Sequence, residues 1–176
     1  MKKLISLFLL AFALLSACQP RSFNPNLSPE EAKAIGQDIA ELKEALKTEK
    51  NPDGSPSHLR LIEMARDYEK LGDINSAIKL YEDYLNDGWR TKAVRNNLGR
   101  LYEHQEKYDL AVKQYQTIVD EYNDQEYLYD ITWAYIRAEN RTEAEKAFNA
   151  WQLAFKKTDL QTQQAIQKLR DQQNSQ

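Results

Sequence analysis

The sequence predicts an all-α solenoid of three helical hairpins, preceded by a leading helix and closed by a capping helix. Three observations predict it. First, Ile74, Ala77, Ile78, Tyr81, Tyr84 and Leu85 recur 34 residues later as Tyr108, Ala111, Val112, Tyr115, Ile118 and Val119. Ala65, Tyr68 and Leu71 recur at the same offset as Gly99, Tyr102 and Gln105. Second, a worn third copy follows 33 residues further on, with Tyr135, Ala144, Phe148 and Trp151. A fixed period of this size marks stacked helical units, none of which can bury its apolar face alone. Third, all five prolines lie at or before Pro56, so the repeating stretch contains no helix breaker.

The chain has 176 residues, enough for one compact domain. A net charge of −3 with 29% charged residues argues against a broad nucleic-acid surface. The N-terminus reads as a separate object. Lys2 and Lys3 precede an apolar run over 4–15, broken only by Ser6 and too short to span a bilayer. Leu15-Ser16-Ala17-Cys18 follows, and it resembles the lipobox of bacterial lipoproteins. That resemblance implies a signal peptide over 1–17, cleavage, and acylation of Cys18, the lipid attachment point. A secretory signal with an incidental cysteine is the alternative. Cys18 is the chain's one cysteine, so an intrachain disulfide is impossible. Two or more acyl chains give stable membrane anchoring where one is marginal. Gln19 stands where an Asp commonly retains Gram-negative lipoproteins in the inner membrane. The resemblance therefore implies the bacterial outer membrane, facing the periplasm, given a Gram-negative host.

Residues 18–27 read as a tether, because Pro20 and Pro25 deny it a helix. Ser28-Pro29-Glu30-Glu31 is a helix start: Ser28 caps, Pro29 suits the first turn, and Glu31 completes a capping box. Ile35, Ile39, Leu42 and Leu46 form one apolar stripe, so a leading helix is expected over 28–47. The turn formers of 48–57 end it, with Asp53-Gly54 the expected flexible point.

The hairpins are expected to pair 58–71 with 74–86, 91–105 with 108–122, and 125–138 with 141–155. Gly72 and Gly88 suit the left-handed conformation that ends a helix, and short links force each pair antiparallel. The residues resemble the tetratricopeptide repeat, with its Leu-Gly-x-x-Tyr and Ala-x-x-x-Phe signatures. Copy two has Leu98-Gly99-x-x-Tyr102 and Ala111-x-x-x-Tyr115. Copy one has Met64-Ala65-x-x-Tyr68 and Ala77-x-x-x-Tyr81; copy three has Ile131-Thr132-x-x-Tyr135 and Ala144-x-x-x-Phe148. The three repeats, with their links, occupy 57–156. Arg95 replaces a usual aromatic, Thr132 a small residue, and Trp89, Asn123 and Lys156 the closing proline. Three unrelated hairpins would be the alternative to a true repeat. A capping helix and tail are expected over 157–176, capped by Thr158 or Asp159 and thinly apolar through Leu160, Ala165, Ile166 and Leu169.

The search for chemistry finds little. His58 and His104 lie far apart, no glycine pair forms a phosphate cradle, and no metal-ligand or nucleophile motif occurs. No enzyme activity, cofactor or metal is expected. The resemblance implies instead a concave groove lined by the first helix of each hairpin, holding a peptide or helix of a partner. By aligned position, Ile62, Arg66, Asn96, Arg100, Tyr129, Trp133 and Arg137 line it, with Glu69, Glu103 and His104 beside them. Arg66, Asn96, Arg100 and Arg137 would make a modest polar and basic track suited to carboxylates. Tyr129 and Trp133 would form an aromatic anchor, though Trp133 packing on the C-terminal helix is the alternative. The expected function is a lipid-anchored adaptor for envelope proteins. A pilotin-like assembly factor, an envelope hydrolase and a self-associating structural role are the other readings.

Overall fold

The computed structural model describes residues 27–51, 54 and 57–175. The expected signal peptide, Cys18, the tether up to residue 26 and Asp53 lie outside the described residues. Eight helices are described: α1 (Pro29–Thr48), α2 (His58–Leu71), α3 (Ile74–Asn86), α4 (Lys92–His104), α5 (Tyr108–Tyr122), α6 (Tyr127–Arg137), α7 (Arg141–Phe155) and α8 (Leu160–Asn174). Each packs against its chain neighbour, and α8 also touches α6.

Side-chain caps start five of the eight described helices. Ser28 accepts from the Glu31 backbone while the Glu31 carboxylate accepts from the Ser28 backbone N–H, the reciprocal pair that satisfies two otherwise orphaned donors. Asp73, Thr91, Asn140 and Asp159 cap α3, α4, α7 and α8 through their side chains.

The hairpin turns repeat at atomic detail. The backbone N–H groups of Asp73, Lys107 and Asn140 each donate to the carbonyl of Tyr68, Tyr102 and Tyr135, all at 2.9 Å. Gly72, Glu106 and Glu139 occupy the equivalent left-handed position, with φ of 78°, 58° and 55°. Only the first copy uses glycine there, so the second and third hold a Cβ in a conformation L-residues disfavour. Glu106→Gly should therefore stabilise the chain by about 1 kcal/mol, once glycine's greater unfolded-state entropy is subtracted. A denaturant melt with an unmoved or lowered midpoint would refute that account of the turn.

Two apolar clusters form the core. The larger runs through α2–α7 and contains Ala65, Ala77, Tyr81, Leu98, Leu101, Ala111, Tyr115 and Ile118. The smaller joins α6, α7 and α8 through Trp133, Ile136, Ala144, Phe148, Ile166 and Leu169. The first helix is lightly held: of its stripe only Ile39 is fully buried, and it packs on α2.

The departures from the repeat pattern find partners. Trp89, in place of the closing proline, stacks on His58 with ring centroids 4.0 Å apart. Arg95 reaches Gln114 at 3.2 Å and Glu121 at 3.8 Å, where an aromatic would have packed. Thr132 is fully buried, and its hydroxyl donates to the Leu128 carbonyl one turn back at 2.7 Å. Glu145, polar where its predecessors are apolar, takes Arg170 of α8 at 2.7 Å. Glu145 thus serves the docking of the capping helix.

Candidate functional site

Helices α2, α4 and α6 are the first members of the three hairpins. Arg66 and Arg100 stand at equivalent positions on α2 and α4, and Glu69 and Glu103 follow each of them by three residues. A spacing of three puts each Arg and Glu on the same helix face. Tyr81 and Tyr115, from the second helix of hairpins one and two, rise into the same layers. The Tyr81 hydroxyl donates to Glu69 and accepts from the Asn97 amide at 3.1 Å. One layer on, Glu103 pairs with Arg137 at 2.9 Å, both side chains largely buried, and the Tyr115 hydroxyl also favours the charged form of Glu103.

The position of Asn97 is taken in α6 by Asp130. A neutral hydrogen-bond donor has become a carboxylate beside another carboxylate. Burial pushes Glu103 up to about 7, opposed by Arg137 and reinforced by Asp130. Asp130 is pushed up to about 6, although its surface is exposed. The cause is the surrounding protein, which displaces bulk water, opposed by Arg137 and reinforced by Asp124 and Glu126. Glu69 is likewise raised by burial, against the pull of Tyr81, Arg100 and Arg66.

The expected track is therefore not simply basic. Arg66, Arg100 and Arg137 alternate with Glu69, Glu103 and Asp130, three charges of each sign. Arg100 acts on both Glu69 and Glu103, bridging the two layers. Sequence spacing already aligned Glu69 and Glu103 with the groove. Asp130, Asn97, Tyr81 and Tyr115 were missed as members of it, although the match of Asn97 to Asp130 at 33 residues was a usable signal.

Two further expectations need correction. Trp133 is 9% exposed and lies in the cluster under α8, so it does not face an open groove. Its indole N–H is buried without a hydrogen-bond partner, and Arg137 stacks over the ring at 5.9 Å. Tyr129 is held against Trp151, with centroids 5.1 Å apart, and its hydroxyl meets Asp159 and Thr162 at the start of α8, each at 3.3 Å. Both rings serve the docking of α8, because the capping helix needs apolar surface to cover. Ile62 is half-buried against the main core. Asn96 and Arg100 are half-buried, and Arg66 is exposed.

Among the described residues no group of His, Cys, Asp and Glu is arranged to hold a metal, and no helix is long and apolar enough to cross a membrane.

The structure is similar to that of a tetratricopeptide repeat protein from Parabacteroides merdae ATCC 43184, with a TM-score of 0.62 and 21% identity over 81% of this chain. This chain spans 59% of that protein's length. It is similar also to MamA MSR-1 C2, with a TM-score of 0.60 and 19% identity, over 83% of this chain and 82% of that one. No family model and no curated protein matches the sequence. The fold is an all-α tetratricopeptide solenoid.

Proposed function

We propose that this protein is a non-catalytic adaptor that holds a protein partner in its concave groove, and that an acylated Cys18 fixes it to a bacterial envelope membrane. One observation supports the groove above all. Arg66 and Arg100 stand in equivalent places on adjacent layers, yet neither makes a side-chain hydrogen bond or close ion pair among the described residues. Guanidinium forks with no carboxylate hydrogen-bonded to them can take one from a partner. Anchoring would raise the effective concentration of partners at the same membrane, which a shallow three-repeat groove needs.

The groove is tested by cross-linking in intact cells, comparing the native chain with an Arg66→Glu/Arg100→Glu variant. The native chain should capture a partner that the variant loses, with helicity unchanged by circular dichroism. The same partners from both chains would move binding to another face. The anchor is tested separately. Cys18→Ser should abolish labelling by a clickable palmitate analogue and shift the protein out of the membrane pellet. Retention in the pellet without label would refute lipid anchoring.

A further inference from the structure

We propose that the groove takes a segment of divided charge, with acidic side chains against Arg66 and Arg100 and a lysine or arginine against Asp130. This rests on the groove reading above and names the chemistry of its partner.

Some charges of the groove are already satisfied within the fold. Glu69 has the Tyr81 hydroxyl, and Glu103 has Arg137. Arg66, Arg100 and Asp130 are the charges left over: none has a side-chain hydrogen bond to another residue or an ion pair within 4.0 Å among the described residues. The leftovers are segregated. The two cations stand on α2 and α4, and the anion stands on α6. Around Asp130 stand the carboxylates of Glu103, Asp124 and Glu126, opposed by Arg137. Arg137 belongs to Glu103, and Lys92 to Asp124 at 2.8 Å. Arg137 pulls on Asp130 through space but makes its ion pair with Glu103, and neither it nor Lys92 pairs with Asp130 within 4.0 Å.

A uniformly acidic segment would meet Asp130 with like charge, and a uniformly basic one would meet Arg66 and Arg100. Only divided charge matches both ends, and the order of helices fixes the direction in which the segment lies. The carboxyl of Asp130, raised to about 6, is largely ionised at neutral pH, so a partner's cation would bind there above that pH and weaken below it.

The probe is a displayed library of random twelve-residue peptides, selected against the full chain purified in detergent. Enriched peptides should carry acidic residues toward one end and a lysine or arginine toward the other, in one orientation. Asp130→Asn should weaken them by about tenfold, the range of one well-placed charge pair, and Asp130→Lys should select peptides with an acid in place of the base. Arg66→Glu/Arg100→Glu should abolish binding, while circular dichroism confirms that every variant keeps its helices. Peptides that need both arginines but ignore Asp130 and carry no base would overturn this inference and leave the groove reading intact. Peptides that bind all variants equally would overturn the groove reading itself. No enrichment over empty beads would overturn the divided-charge inference.

Discussion

Gly99→Leu should cost this protein about 3 kcal/mol or more of stability, seen as a fall of about 10 °C in thermal midpoint. The site is a close approach of α4 to α5. A Cβ placed on Gly99 would sit 2.5 Å from Cε1, 2.8 Å from Cζ and 3.0 Å from Cδ1 of Tyr115. Tyr115 cannot step aside, because it is 1% exposed and wedged in the main core, with the Tyr127 ring 5.8 Å away. The clash must therefore be relieved by separating the two helices of one hairpin, which carry the buried Leu98, Leu101, Ala111 and Ile118. Gly99→Ala divides the effect. Removing a helical glycine gains about 1 kcal/mol, while overpacking costs roughly 1–3 kcal/mol, so it should be neutral to mildly destabilising. Gly99→Ala/Tyr115→Leu should recover what the contact costs. A Gly99→Leu chain melting at the native midpoint would mean that α4 and α5 are farther apart than described.

Arg137→Met should be the most pH-dependent substitution in the chain. It leaves Glu103, whose side chain is 8% exposed, without its ion pair. Removing one partner of a buried pair costs about 3–5 kcal/mol when the other must stay charged. Glu103 need not stay charged, since its carboxyl already sits near 7, well above its ordinary 4.5. Its protonated form is the one the fold favours. This group's contribution to stability is therefore greatest below the unfolded value and falls as pH rises through the folded one. Without Arg137 the folded value climbs further. The variant should thus lose about 3 kcal/mol at pH 8.5 and about 1 kcal/mol at pH 5.5, read by urea melts at both. Glu103→Gln in the same background should flatten the difference. A loss independent of pH would mean that Arg137 acts through packing on Trp133 rather than through Glu103.

The groove chemistry shows where sequence reading runs out. The Arg-x-x-Glu spacing at Arg66–Glu69 and Arg100–Glu103 is local, and helix geometry alone places it on one face. The basic track misled because it counted cations by alignment, set Glu69 and Glu103 beside them and left out Asp130. Asp130 acts on Tyr115 and Glu103 through space, an interaction between hairpins and not along one. Trp133 and Tyr129 misled for the same reason. Their alignment with Arg100 and Asn96 is real, but a helix more than twenty residues downstream covers them, and nothing in their spacing announces it.

By itself the sequence determined the repeat period, the helices and their turns, down to the capping box at Ser28 and the left-handed place of Gly72. Those features are set within one or two helical turns, where backbone geometry, capping and apolar spacing act between near neighbours. Tertiary structure alone decided which charges are satisfied, that Asp130 faces Glu103, and that α8 closes over Trp133. Those outcomes depend on burial and on Coulomb interactions between side chains a repeat or more apart, and both are properties of the packed layers rather than of any stretch of chain.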